Sequence, residues 1–123
     1  MNQKIRVLIA DDQRSARQGL KALLAFAPQI EVIGEAPDGQ KAVQLVAEKQ
    51  PDVVLMDVQM PVMDGLEATQ LIKNRWPQVK VMILTMFPSS RPEALAAGAD
   101  HFLLKGCSAE SLQDAILSLF SVG

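Results

Sequence analysis

An α/β domain built on a parallel sheet is the fold that this sequence predicts. Three observations point to it. Short apolar runs rich in β-branched residues alternate with longer runs whose apolar residues fall at helical spacing. The short runs are apolar throughout rather than every second residue, as in strands covered on both faces. Prolines, glycines and Asp-Gly pairs punctuate the boundaries.

Ile5 to Ala10 is β-branched, apolar and too short for a helix, so it reads as a buried strand. Arg14 to Phe26 places Ala16, Leu20, Leu23 and Leu24 on one helical face, and Pro28 stops it. Ile30 to Glu35 reads as a second strand. Asp38-Gly39 is a turn or helix cap before a helix over Lys41 to Lys49, with Ala42, Val43, Leu45 and Val46 inward. Val53 to Met56 is a third buried strand that ends at Asp57. Asp64 caps the next helix, with Glu67 as its capping-box partner, and that helix runs to Trp76-Pro77.

Val79 to Leu84 is a fourth strand ending at Thr85. Ser90-x-x-Glu93, with Pro92 in the first turn, starts a short helix (Arg91 to Ala97) that Gly98 ends. Phe102 to Leu104 is a fifth strand ending at Lys105. Ser108 caps a last helix whose Leu112, Ala115, Ile116, Leu119 and Phe120 form an apolar stripe running toward Ser121-Val122-Gly123. Five strand–helix units in strict alternation imply a flavodoxin-like (βα)5 fold. Its five-stranded parallel sheet would have the order 2-1-3-4-5, with right-handed crossovers and helices on both faces.

The 123 residues fit one ordinary domain, so 1–123 is expected to be a single unit. Half of the chain is apolar (49%), enough for a real core. Twelve basic against 14 acidic side chains give a net charge of −2, which offers no electrostatic footprint for direct nucleic-acid binding. The lone Cys107 excludes an internal disulfide and suits a reducing compartment. No run approaches a membrane span and the N-terminus is not a signal peptide, so a cytoplasmic protein is expected.

In such a sheet, ligands gather outside the carboxyl ends of the strands. Those ends carry Asp11 and Asp12, Asp57, Thr85 and Lys105. Three clustered carboxylates raise one another's pKa unless a cation neutralises them. An all-oxygen set suits Mg²⁺, and neither His101 nor Cys107 has a partner with which to bind zinc. A carboxylate can also act as nucleophile toward phosphorus. Phosphoryl transfer asks mainly for positioning and charge neutralisation, which Mg²⁺, Lys105 and the Thr85 hydroxyl would supply.

These residues resemble the receiver domains of two-component response regulators over essentially the whole chain. The matching segments are Leu8 to Asp12, Val54 to Gly65, Ile83 to Thr85 and Ala97 to Lys105. Each is weak alone; their order and spacing together are specific. The resemblance implies a signalling switch rather than an enzyme, with Asp57 as phosphoacceptor. Asp12 and Asp57 would bind Mg²⁺ by side chain and Gln59 by its backbone carbonyl, with Asp11 acting through water. Lys105 would pair with phosphoryl oxygens. Thr85 would move to the phosphoryl group, and Phe102 would turn inward behind it. The phosphodonor would be a sensor histidine kinase or phosphotransfer protein. A homodimer is one arrangement the family allows. Thr85-Met86-Phe87 and Phe102 to Gly106 lean toward the branch that carries a LuxR-type helix-turn-helix, where DNA is reached only through a separate output domain and transcription is controlled.

Two features depart from the family pattern. Gly106 stands where a cis-proline is common, and the stretch from Thr85 to Lys105 is short for this branch. Phe87, two residues past Thr85, would guard access to the site.

Plainer readings exist for each residue. Asp12 could only cap the first helix, Asp57 could be a solvated strand end, and Lys105 a surface charge. Thr85 suits any strand and Phe102 any core, while the methionines read as core filler. A flavin or dinucleotide fold would need a glycine- or hydroxyl-rich loop after the first strand, where Asp11-Asp12-Gln13-Arg14 stands. A haloacid-dehalogenase-type phosphatase would need a second aspartate at Gln59. A degenerate receiver, acting only as a binding module, would be expected to lack one of Asp12, Asp57, Thr85 or Lys105; all four are present.

Overall fold

The computed structural model describes residues 3–120. Its elements run β1 (Ile5–Ala10), α1 (Arg14–Leu24), β2 (Ile30–Ala36), α2 (Gly39–Lys49), β3 (Val53–Met56), α3 (Gly65–Arg75), β4 (Lys80–Thr85), α4 (Arg91–Ala96), β5 (His101–Leu104) and α5 (Ala109–Ser118). All strand pairs are parallel, and the sheet order is β2-β1-β3-β4-β5, as the alternating pattern predicts.

The continuous apolar strands are explained by two separate cores. Successive side chains point to opposite faces of a sheet. One face carries Leu8, Val54, Met56, Val81 and Ile83 and is covered by Ala42 and Val46 of α2, Ile72 of α3 and Ala94 of α4. The other carries Val7, Ile9, Leu55, Met82 and Leu84 and is covered by Leu24 of α1 and Leu112 and Ile116 of α5. Each fully buried Leu, Ile or Val contributes roughly 1.5–3 kcal/mol.

Three helix starts, those of α2, α3 and α5, follow side-chain caps. The carboxylates of Asp38 and Asp64 accept from the Lys41 and Glu67 amides at 2.7 and 2.8 Å, and the Ser108 hydroxyl accepts from the Ser111 amide at 3.0 Å. Gly98, at φ +101°, ends the short fourth helix as expected.

Several boundaries differ from the sequence reading. The first helix stops at Leu24, not Phe26, and Phe26 is 93% exposed; Pro28 disfavours helical backbone just ahead of it. β2 runs one residue further, because Ala36 still pairs with Ala10. The second helix starts earlier, at Gly39, set by the Asp38 cap. Ser90 makes no capping bond: a 3₁₀ turn over Pro88–Ser90 feeds directly into α4, so Ser90 is already helical. The last helix ends at Ser118, and Leu119 and Phe120 pack on the core from the following turn. Its expected run into 121–123 lies outside the described residues. Met56 and Met82 are core residues, but Met86 is 66% exposed. No helix among the described residues is long and apolar enough to cross a membrane.

Candidate functional site

The sheet assembles the site through its last backbone bonds. The Asp11 amide donates to Ala36 O at 3.0 Å, the Asp57 amide to Ala10 O at 2.9 Å and the Lys105 amide to Thr85 O at 2.8 Å. Each site residue is thus the first past a paired strand end, anchored by the neighbouring strand. Asp11, Asp12 and Asp57 converge, with one carboxylate oxygen of each lying within 4.8 Å of the others.

Asp11 and Asp57 are buried, whereas Asp12 is exposed. Lys105 Nζ bridges the two buried carboxylates, 2.5 Å from Asp11 Oδ2 and 3.2 Å from Asp57 Oδ2. The second oxygens are also held: Asp11 Oδ1 accepts from the Gln13 amide at 2.9 Å and Asp57 Oδ1 from the Val58 amide at 2.8 Å. Burial pushes the Asp57 carboxyl above its ordinary range; the Lys105 charge pulls it down without prevailing, and the Asp11 charge adds to the rise. Burial alone would lower Lys105, but its bond to Asp11 and the charges of Asp57 and Asp11 hold the ammonium above its usual range.

A cleft over this cluster is lined by Asp12, Asp57, Gln59, Met86, Phe87 and Lys105. Gln59 and the half-exposed Phe87 therefore stand beside the acids. Thr85 is fully buried at the end of β4, and its hydroxyl accepts from the Phe87 amide at 3.4 Å. Phe102 is partly buried against the core layer of α2, α3 and α4, and its outer side borders a groove with Pro88 and Arg91.

The loop from Val58 to Asp64 is tightly closed. Gly65 N–H donates to Val58 O at 2.7 Å, and a Cβ at Gly65 would fall 1.7 Å from Asp57 O. Gly39 N–H donates to Met63 O at 2.9 Å, where a Cβ would also collide. Val62 sits at φ +70°, inside a three-residue turn closed by Met63 N–H to Pro61 O at 2.7 Å. For a β-branched residue that backbone costs roughly 1–2 kcal/mol. Gly106, where the family often has proline, has φ +92°, which a proline ring cannot adopt. All peptides among the described residues are trans.

Sequence reasoning missed Arg17. Its Nη1 donates to Asp11 O at 2.7 Å and its Nε to Glu35 at 2.9 Å. The available signal was a charged residue between Ala16 and Leu20 on a helix with an inward apolar face.

The donor set fits a hard divalent cation. Three carboxylates supply oxygen only, the cluster holds no histidine or cysteine, and an open cleft leaves room for water and phosphate oxygens.

A five-stranded doubly wound sheet with three acids and a lysine at its carboxyl edge defines a class, and residues 7–117 match the response regulator receiver domain. The chain belongs to that family. It is 43% identical over 121 residues to the transcriptional regulatory protein LnrK of Bacillus subtilis (strain 168), covering 97% of this chain and 55% of that protein. The chain thus spans about half the length of the curated relatives it matches. Its structure resembles the response regulator domain of Thermotoga maritima CheB, with a TM-score of 0.90, 32% identity and coverage of 98% and 99% of the two chains. It is equally similar in sequence, at 32%, to a LuxR-family DNA-binding response regulator from Staphylococcus aureus, with a TM-score of 0.87 and coverage of 94% and 98%. Relatives of the LuxR family support the branch that the sequence motifs suggested.

Proposed function

We propose that the domain is an Mg²⁺-dependent phosphoacceptor switch in which Asp57 receives a phosphoryl group from a phosphohistidine. One observation carries this reading: a buried carboxylate at the end of β3 shares an ammonium and a carboxylate cluster with the end of β1, open to a cleft. An Asp57 carboxylate oxygen would form the new bond to phosphorus as the P–N bond of the donor breaks, and the donor imidazole would leave with its electron pair. Asp12, Asp57 and the Gln59 carbonyl would hold Mg²⁺, with Asp11 acting through water. The bound ion would neutralise charge that builds on the phosphoryl oxygens.

This chain's own residues do the rest. Asp57 is already oriented by the Val58 amide and Lys105. Lys105 would pass from Asp57 to the phosphoryl oxygens. Thr85 would turn toward the same group, and Phe102 would follow into the space behind it. The added charge, about −1.5 to −2, would shift the population toward a different surface around α4, β5 and α5. The domain would act as a switch rather than an enzyme, take its phosphoryl group in the cytoplasm from a sensor histidine kinase or phosphotransfer protein, and work as one unit over 1–123. Within a longer protein it would control transcription through a separate DNA-binding domain, itself touching neither DNA nor membrane. A homodimer would be compatible with the switch.

Incubation with MgCl₂ and acetyl phosphate tests the core of this reading. A mass gain of one phosphoryl group is expected, lost in Asp57→Asn and after EDTA. An unmodified parent protein, or a gain that survives Asp57→Asn, rejects it.

A further inference from the structure

The acidic loop after β1 is held from behind by a guanidinium. Arg17 lies in the first turns of α1, with its side chain 16% exposed. Its Nη1 donates to the carbonyl of Asp11 at 2.7 Å, and its Nε donates to Glu35 Oε1 at 2.9 Å. Glu35 belongs to β2, where sheet register places it opposite Ile9 of β1. Lys21, one turn further along α1, donates to Glu35 Oε2 at 2.7 Å. The hydrogen bond from Lys21 leads in holding the Glu35 carboxyl below its usual range; burial opposes it, and Arg17 adds to the lowering. The anchor is therefore a charged carboxylate at neutral pH.

These contacts close a ring from β1 through the acidic loop and α1 to β2 and back. Asp11 is tied at both ends of its backbone: its amide donates to Ala36 O and its carbonyl accepts from Arg17. The carbonyl end of the Asp11–Asp12 peptide is thereby anchored, which restricts the directions in which the Asp12 side chain can leave the backbone. Asp12 is exposed, unlike Asp11, so burial does little to place it.

We propose that Arg17, locked by Glu35, is a positioning residue for the metal site, holding the Asp11–Asp12 peptide so that both carboxylates face Asp57. This rests on the reading of Asp11, Asp12 and Asp57 as the Mg²⁺ site. A rival role is electrostatic. Arg17, Lys21 and Glu35 carry a net charge of +1 together (two cations against one anion), and that field would oppose a cation. The two roles predict opposite behaviour. Lysine keeps the charge and loses the two-pronged geometry, whereas glutamine removes both.

The experiment is calorimetric titration of MgCl₂ into the full chain, with circular dichroism in EDTA to confirm folding. Arg17→Lys and Arg17→Gln should each weaken binding by about tenfold or more, the effect usual for residues that orient metal ligands. Glu35→Gln should weaken it less, in the same direction, and carries the test if the Arg17 variants do not fold. Amide exchange at Asp12 and Gln13 in metal-free protein should quicken in Arg17→Lys. Unchanged affinity in Arg17→Lys, tighter binding in Arg17→Gln, or unchanged exchange at the loop overturns the proposal while the magnesium site stands. A parent protein that ignores magnesium overturns the site and the proposal together.

Discussion

Lys105 Nζ lies 2.5 Å from Asp11 Oδ2 and 3.2 Å from Asp57 Oδ2, so a single ammonium just past β5 pairs with acids just past β1 and β3. It stands against two of the three carboxylates that would gather around a divalent ion. Removing it leaves the buried Asp11 without its charged partner. Lys105→Ala should destabilise the metal-free fold by about 2 kcal/mol, a figure reduced from fully buried pairs because Lys105 is 20% exposed. Magnesium should raise the melting temperature of the variant more than that of the parent, since the ion replaces a missing charge. Thermal melts with and without MgCl₂ decide it; equal shifts would mean the lysine and the ion do not share a role.

Asp57 gives a pH signature. Its folded-state pKa lies above its unfolded value, chiefly because burial disfavours the charge. Its contribution to stability is therefore complete below the ordinary carboxylate range and is lost as pH rises through the folded value. Metal-free Asp57→Asn should melt a few degrees higher than the parent at pH 7, and that gap should close toward about pH 3.5, below the model-peptide value. Melting curves in EDTA across this range measure it. A gap that is constant with pH would show that the carboxylate ionises at no cost to the fold.

Phe87 is 46% exposed and lines the cleft beside Asp57 and Lys105. On the function proposed above, a ring at that lip would restrict the approach of water to a phosphorylated Asp57. Phe87→Ala should shorten the phosphoryl lifetime severalfold while changing stability by no more than about 0.5 kcal/mol. Decay of the phosphorylated mass after removal of the donor reads it directly, and an equal or longer lifetime counts against the gate.

Gly65 touches the site through backbone alone. A Cβ there would lie 1.7 Å from Asp57 O and 3.0 Å from the Met56 side chain. Neither the third strand nor the helix start can move without breaking the Gly65–Val58 bond. Gly65→Ala should cost about 3 kcal/mol in chemical denaturation, despite alanine being the better helix former. A neutral substitution would mean the loop relaxes freely.

The sheet and the strand-end residues were legible because apolar runs and their polar stops are written in consecutive residues. Asp57, Thr85 and Lys105 each follow such a run, so topology alone brings them to one edge. What was hidden depends on contacts far apart in sequence. Arg17 meets Glu35 across 18 positions, and its place beside the inward residues Ala16 and Leu20 does not name that partner. Ser90 carried a capping pattern, yet Pro88 begins a 3₁₀ turn that uses its backbone first. Phe26 looked helical by spacing, but neither core reaches it. Val62 gives no sign in sequence of its left-handed backbone, which the closed loop around it imposes.

The two apolar layers lie on opposite faces of the sheet, with the strands between them. The sheet acts as a bulkhead between two dry compartments: a void opened beneath α3 would be separated from the packing beneath α5. Ile72→Ala and Leu112→Ala, each worth about 2–5 kcal/mol, should therefore add within roughly 0.5 kcal/mol when combined. Repair on one side would give no relief to damage on the other.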